Sequence, residues 1–475
     1  MENSTIVAVA TPGGRGGIGI IKLSGSRAVD IAAAIFVPAV SKFLSSAESP
    51  RPTEAICTDG FRSHRLYYGH IIDPGSRLVL DEVLLSVMKA PRSYTREDVV
   101  EINAHGGQVA VNAILELAVR QGARIAEPGE FTKRAFLNGR IDLAQAEAVI
   151  DVINARTDRA LQVAAAQIDG ALTKAVGQIR QVLVELLIRA EAGIDFPDDV
   201  AEMVDPVAVS QEIDAQVVKP LQCLIQQHVA GKVLRDGLKV AVIGRPNVGK
   251  SSLLNCLVQK ERAIVTAVPG TTRDTIEETL NLNGYPIVLA DTAGLHDTND
   301  LIESMGIEKT IENVNGADLV LFMIEANCAL TPEDYKIYEQ CRSKPMIVVI
   351  NKIDLVNQDS VVAIPPNWSS KDCLRISALY DSGIEALKEQ ILITAFGKNP
   401  IRIETGIAPN LRQKLLLEDS LNSAEAIRQE LCNGASMELI AIQLQNAIDS
   451  LGQILGTSVK VDVLDQIFSR FCIGK

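Results

Sequence analysis

The chain has 475 residues, 47% of them hydrophobic and 22% charged, with a net charge of -13. That length exceeds one compact core and predicts about three domains, and the composition excludes a disordered or fibrous protein for most of the chain. Apolar runs such as Ile6–Ala10 and Leu319–Ile324 stop short of the roughly 18 residues that a membrane-spanning helix needs. No basic and apolar leader opens the sequence, so a cytoplasmic protein without a membrane partner is expected. Eight cysteines without a CxxC pair and five dispersed histidines argue against a disulfide framework or a zinc site. Charge is uneven: residues 1–140 carry 16 basic and 14 acidic side chains, net +2, leaving 30 against 45, net -15, for the remainder. Any contact with nucleic acid must therefore be local and selective for shape.

Strand-like runs at Thr5–Ala10, Ile18–Leu23, Leu66–Ile72, Val79–Met88 and Asp98–Asn103 alternate with helical spacing at Arg27–Phe36 and Gly107–Gln121. This predicts an α+β domain over 1–138. Within it Gly14-Arg-Gly16-Gly-Ile-Gly19 matches GxGxxG but runs into another strand instead of a helix, which fits a glycine-rich hairpin or binding loop and not a dinucleotide fingerprint. Good helix formers fill Leu143–Ala192, and Leu172, Val176, Ile179, Leu183 and Leu186 keep the spacing of a long amphipathic helix. Phe196-Pro-Asp-Asp199 interrupts before another helical stretch, Val207–Val233. Strands and helices then alternate from 237 to 397, and helical spacing resumes from Leu411 to Leu455. The economical reading is an all-α domain in two parts, 139–236 and 398–475, with an α/β module inserted at 237–397.

In that module the buried strand Lys239–Ile243 leads into Gly244-Arg-Pro-Asn-Val-Gly249-Lys250-Ser251 and the helix Ser252–Leu257, which is a P-loop. Backbone N–H groups of Asn247, Val248, Gly249, Lys250, Ser251 and Ser252 would cradle phosphates, Lys250 adds a point charge, and the Ser251 hydroxyl suits Mg2+. Asp291-Thr292-Ala293-Gly294, after the buried Ile287–Ala290, resembles switch II, with Asp291 reaching Mg2+ through water. Pro269-Gly270-Thr271-Thr272-Arg-Asp274 resembles switch I, with Thr272 closing the Mg2+ shell and Thr266, Ala267 and Val268 leading into the loop around the nucleotide. Asn351-Lys352-Ile-Asp354 after Ile347–Ile350 selects guanine, because one carboxylate accepts both guanine N–H donors, and Ser377-Ala378-Leu379 would support the base from the backbone. All five elements occur in the order of P-loop GTPases, favouring GTP over ATP.

Leu295 stands where Ras-like enzymes place a water-orienting glutamine, so hydrolysis needs other groups, and no local sequence feature marks an obvious arginine finger, Arg273 in the switch I segment staying open as a candidate. Asn247 offers one solution. Its amide oxygen, with carbonyls of the loop at Thr266, Val268 and Thr271, would hold a monovalent cation against the phosphates. The competing reading is that Asn247 stabilises its own loop by a local hydrogen bond.

Domain order, Ala10–Gly19, Gly129-Glu-Phe-Thr-Lys-Arg-Ala-Phe-Leu-Asn138, Asp142-Leu-Ala-Gln-Ala-Glu147 and the final Phe471-Cys472-Ile-Gly-Lys475 together resemble the MnmE (TrmE) family over essentially the whole chain. The resemblance implies a homodimeric tRNA-modification GTPase that works with the flavoprotein MnmG, which carries FAD. The product would be an aminomethyl-type (carboxymethylaminomethyl) group on carbon 5 of the wobble uridine. It implies K+ at the loop described above, and 5-formyl- or methylene-tetrahydrofolate bound at a dimer interface by residues matching Lys22, Glu101, Arg140 and Lys475. Lys22 and Arg140 exchange lysine and arginine relative to some relatives, preserving charge but not bidentate geometry. Glu303 corresponds to the family glutamate that positions water, with Glu308 a neighbouring candidate. Two readings of Cys472 stand: a thiol that attacks carbon 6 of the pyrimidine, or a small apolar side chain packed beside a functional lysine. An Era- or Der-like ribosome-assembly GTPase is the rival, but neither a KH-like GXXG context nor a second P-loop is apparent.

Overall fold

The computed structural model describes residues 4–39, 60–195, 205–261, 278–290, 314–356, 364–366, 368, 373–397 and 406–475. They form two compact units, one from the residues up to 150 with 455–475, the other from the residues between 151 and 454. The C-terminal segment, which helical spacing alone groups with the helices before it, thus packs with the N-terminal unit.

The first unit is a seven-stranded sheet in the order β3-β4-β5-β6-β2-β1-β7. Its strands are β1 (Ile6–Val9), β2 (Ile18–Ser24), β3 (Phe36–Pro38), β4 (Arg65–Ile72), β5 (Val79–Met88), β6 (Val99–His105) and β7 (Arg124–Ile125). All neighbours are antiparallel except β1 and β7. Period-two alternation sorts the faces. Ile21, Leu23, Val83, Leu85, Val87, Val100 and Ile102 point to one side, where α1 (Ala28–Ile35) and α2 (Gln108–Arg120) close the core. Their neighbours in the chain, Lys22 and Glu101, are direct cross-strand partners on the other side. There α3 (Glu130–Leu137) contributes Phe131 against Ile6 and Ala8. Leu143 and Ala146 of α4 (Leu143–Asn154) pack with Leu464, Phe468 and Phe471 of the C-terminal segment. At Gly474 (φ 93°) a Cβ would lie 2.6 Å from the Val9 carbonyl, so the last turn runs against β1 as only glycine permits.

In the second unit α5 (Asp158–Ile168) starts at a Thr157 cap and stops before Gly170, and α6 (Ala171–Asp195) buries Leu172, Val176, Ile179, Leu183 and Leu186 at the expected spacing. The single helical stretch expected over Val207–Val233 is present as α7 (Pro206–Ile213), a π-helical turn (Asp214–Val218) and α8 (Lys219–Asp236). The wider turn precedes Pro220, which has no N–H for an i→i−4 bond. Next comes a six-stranded sheet in the order β13-β12-β11-β8-β10-β9. It is built from β8 (Leu238–Ile243), β9 (Glu278–Leu282), β10 (Tyr285–Ala290), β11 (Leu319–Glu325), β12 (Met346–Asn351) and β13 (Cys373–Arg375). Only β9 is antiparallel to its neighbour. β11 is buried over six of its seven positions, as a central parallel strand must be when helices cover both faces. Those helices are α9 (Lys250–Glu261), α10 (Pro332–Cys341) and α11 (Ile384–Phe396). The chain ends in α12 (Leu411–Cys432), α13 (Met437–Leu455) and a short helix, Val461–Phe468.

The way into and out of the α/β module is closed by one set of contacts. Arg235 at the end of α8 donates to the carbonyls of Ala408 (3.0 Å) and Pro409 (2.9 Å), and His228 Nδ1 lies 2.8 Å from the Pro409 oxygen. Residues 408 and 409 precede α12, so the two passes of chain meet and the module sits within the helical part as an insertion.

Candidate functional site

β8 ends at Ile243, and the loop 244–249 delivers the chain into α9, whose first backbone N–H groups have no intrahelical acceptor. Asn247 (φ 64°) and Gly249 (φ 97°) take left-handed backbone, the kind of turn that gathers successive N–H groups into an anion-binding concavity. At Gly249 a Cβ would fall 2.3 Å from the Asn351 amide nitrogen. Lys250 Nζ donates to the Gly244 (2.7 Å) and Arg245 (2.8 Å) carbonyls. Burial pushes its ammonium below the ordinary lysine value, partly opposed by Glu333. Ser251 and Ser252 are exposed on the first turn of α9. Arg245 Nε donates to Asp334 Oδ1 at 2.8 Å, and the buried Asp334 also caps α10 by accepting from the Thr331 N–H at 2.8 Å.

The segment after β12 is tied to this loop by one amide. Asn351, 3% exposed, donates from Nδ2 to the Val248 carbonyl (2.9 Å) and accepts at Oδ1 from the Ala378 N–H (3.0 Å). Lys352 takes left-handed backbone (φ 66°) and pairs with Glu325 at the end of β11. Asp354 is exposed at its backbone turn, with Oδ1 held by the Ser377 hydroxyl at 2.6 Å. The carbonyl, amide and carboxylate groups of 351–354 and 377–378 thus border the same space as the P-loop. Glu325 and the Arg245–Asp334 pair were not among the residues singled out from sequence. Glu325 stood in plain view as the polar end of an apolar run.

In the other unit Lys22, Glu101, Arg140 and Lys475 come together. Lys22 Nζ is 4.0 Å from Glu101 Oε1, and lies 4.6 Å from the Tyr94 ring centre and 5.0 Å from that of Phe131. Arg140 lies 4.7 Å from the same Tyr94 ring centre. The Lys475 carbonyl accepts from the Phe131 N–H at 3.2 Å. Burial pushes the Lys22 ammonium down; Glu101 opposes this, while Lys475 and Arg140 add to it. Three cationic side chains against one acidic side chain suit an anion that also offers N–H donors to Glu101. Tyr94, between the two cations, lies in a segment that sequence reasoning passed over. Cys472 is exposed, so burial among apolar neighbours does not describe it.

Two family models together match most of the chain. The model "MnmE helical domain" matches residues 143–472, spanning the inserted module, and "GTP-binding protein TrmE N-terminus" matches 5–140. The chain belongs to the MnmE family. It is 42% identical over 476 residues to the tRNA modification GTPase MnmE of Carboxydothermus hydrogenoformans, covering 100% of both chains. With that of Listeria welshimeri it shares 44% over 477 residues, again covering 100% of both. Among solved structures it is similar to Aquifex aeolicus Era bound to GDP.AlF4- (31% identity, 39% of this chain and 66% of that one, TM-score 0.27). It is also similar to the FeoB G-domain of Methanococcus jannaschii (26% identity, 33% and 97%, TM-score 0.25). End-to-end matches and a TrmE N-terminal model favour the MnmE reading over the Era-like rival.

For this MnmE family member the P-loop residues 247–252, the base-side residues Asn351, Lys352, Asp354, Ser377 and Ala378, and the four-residue cluster on the sheet all fall where described above. Thr266, Ala267, Val268, Pro269, Gly270, Thr271, Thr272, Arg273, Asp291, Thr292, Ala293, Gly294, Leu295, Glu303 and Glu308 lie outside the described residues.

Proposed function

We propose that the chain is a cytoplasmic GTP hydrolase whose turnover controls modification of carbon 5 of the wobble uridine in certain tRNAs, in partnership with the FAD-carrying MnmG. The observation that carries the reading is the Asn351 amide, which joins the P-loop to the backbone beside Asp354: phosphate cradle and guanine-selective carboxylate are built as one site. A Mg2+-triphosphate suits a loop that ends in a glycine in left-handed backbone, a lysine that among the described residues bonds to two neutral carbonyls, and an exposed Ser251 hydroxyl. Ser251 and Thr272 would ligate Mg2+. Asn247 with Thr266, Val268 and Thr271 would hold K+, which supplies electrostatic stabilisation of the developing charge in place of an arginine finger. The exposed side chain and left-handed backbone of Asn247 support that role. Glu303 is assigned to positioning water. No helix among the described residues is long and apolar enough to cross a membrane.

The sheet cluster is the proposed tetrahydrofolate site in a homodimer. Glu101 would take the N–H edge of the pterin, and Lys22, Arg140 and Lys475 the anionic groups. The exposed Cys472 near Lys475 is the proposed thiol for attack on carbon 6 of uridine. The proposed domains are 1–138, 139–236, 237–397 and 398–475; the helical family model over 143–472 supports reading the two helical parts as one domain around the insertion, while the end of the last part, 455–475, packs with the first unit.

Mass analysis of wobble uridines in tRNA from cells lacking the protein tests the function. Loss of the carbon-5 substituent is expected, and normal modification refutes the reading. GTP turnover should also collapse when K+ is exchanged for Na+ at equal ionic strength, a difference that Asn247→Ala should erase; equal rates in both salts remove K+ from the mechanism.

A further inference from the structure

Next to the Lys22–Glu101 pair, in the same unit, lies a groove of about 490 Å3 that the proposed pterin contacts do not use. Beside Ser93 and Tyr94 its polar lining is basic, His64, Arg92, Arg96 and Arg140, with no carboxylate among the lining residues. Tyr94 joins it to the Lys22 cluster, because the ring that lies 4.7 Å from Arg140 also lies 4.6 Å from Lys22 Nζ.

The segment bearing Arg92, Tyr94 and Arg96 is held in place before any ligand arrives. Buried Thr95 shares a 2.6 Å hydrogen bond with Ser24 of β2, and its carbonyl accepts from Asn138 Nδ2 at 2.6 Å. Arg96 Nη1 in turn donates to the Asn138 carbonyl at 2.9 Å. Across the groove the chain is fixed by His64 N–H donating to the Val87 carbonyl (2.7 Å) and by the Ser63 hydroxyl accepting from the Lys89 N–H (2.9 Å). His64 and Arg96 hold left-handed backbone (φ 60° and 58°), a conformation that non-glycine residues keep only where the surroundings impose it. Basic side chains on a fixed strap bind an anion with less ordering cost than the same groups on a free loop.

We propose that this groove is a subsite for a γ-linked oligoglutamate tail, running from the folate bound at Lys22 and Glu101 past Tyr94 onto Arg92 and Arg96. This rests on the folate reading above and extends it to the form of the cofactor. A γ-linked chain presents one carboxylate per residue, so it offers repeated charge-assisted acceptors to guanidinium groups that a single glutamate cannot reach together. Arg140, beside Tyr94 at the junction, serves the first carboxylate in either form.

The test is calorimetric titration of the full chain with 5-formyltetrahydrofolate as the monoglutamate and as the pentaglutamate. The pentaglutamate should bind at least tenfold more tightly, the advantage shrinking as salt rises. The double variant Arg92→Gln, Arg96→Gln should bring the two affinities within about twofold of each other at an unchanged thermal midpoint. If the monoglutamate binds and the pentaglutamate binds no better, the subsite is refuted and the folate reading stands. If neither binds, the folate reading itself falls and the subsite with it. If the double variant keeps the pentaglutamate preference but loses affinity for tRNA, the groove is an RNA contact and the proposal is overturned.

Discussion

Replacing Asn351 by alanine tests whether the phosphate and base halves of the nucleotide site depend on one amide. The wild-type side chain is buried and satisfies two backbone groups on separate loops, the Val248 carbonyl at 2.9 Å and the Ala378 N–H at 3.0 Å. Both residues are themselves buried, 1% and 8% exposed, so alanine leaves an acceptor and a donor with no water in reach unless the loops open. Each such orphan costs about 1–3 kcal/mol, which sets the expected destabilisation for the two at roughly 2–6 kcal/mol. Urea unfolding followed by tryptophan emission measures this cleanly. The chain has one tryptophan, and Trp368 is buried in this module, stacked on Tyr338 at 4.5 Å, so its emission reports the module and not the first unit. Asn351→Asp keeps an acceptor for Ala378 and turns a second carboxylate oxygen on the Val248 carbonyl. It should therefore lie near or below alanine, not between alanine and wild type. A change below about 0.5 kcal/mol for alanine, the range of an ordinary surface substitution, refutes the bridging argument.

Three further outcomes follow from the same geometry. Asp354→Asn should reverse base preference from guanine towards xanthine, which carries a carbonyl where guanine has its amino group; competition between GDP and XDP reads this, and unchanged preference removes Asp354 from base recognition. Glu325→Gln should weaken GDP binding several-fold by releasing Lys352, and in a double-mutant cycle with Lys352→Ala its effect should vanish; an additive cycle means that Glu325 acts elsewhere. His105 is held above its ordinary value of 6.5 by its 2.6 Å hydrogen bond to Asp81. A raised folded value means that the stabilisation is fully present below about pH 6.5 and is lost as pH rises through the folded value. The gap in urea midpoint between wild type and His105→Asn should therefore be widest in acid and close in alkali; a gap independent of pH removes the ion pair as its cause.

Much of the architecture was legible because local pattern and burial agree. Val79–Met88 alternates and forms half-buried β5, Leu319–Ile324 does not alternate and forms central β11, and the spacing of Leu172 to Leu186 is the buried stripe of α6. What stayed hidden depends on contacts between residues distant in sequence. Nothing in Leu455–Lys475 says that its Phe468 and Phe471 will pack on Leu143, or that Gly474 will lie against Val9. The π-helical turn before Pro220 is a local geometry that helical spacing is too coarse to resolve. In the candidate sites, Asn351 and Asp354 were readable because their chemistry is fixed by their position in a motif. Glu325 and Tyr94 were not, since a glutamate at a strand end and a tyrosine in a loop acquire roles only through Lys352 in one case and two flanking cations in the other.

The hairpin of β9 and β10 lies in the chain between the two segments whose sequences resemble switch I and switch II, and it is gripped from outside the α/β sheet. Arg156 Nη1 donates to Thr279 on β9 (3.3 Å), the Thr157 hydroxyl donates to the Gly284 carbonyl in the turn (2.7 Å), and Arg159 lies 4.5 Å from the Tyr285 ring centre on β10. Thr157 is also the cap of α5, so the residue that starts that helix holds the hairpin turn. A Cβ at Gly284 would sit 3.0 Å from Arg159 carbons, which shows how little slack the contact has. Any displacement of this hairpin relative to α5 must break the Thr157 hydroxyl bond to Gly284, the Arg156–Thr279 bond and the Arg159–Tyr285 cation–π contact together. A shift too small to break them must carry α5 along.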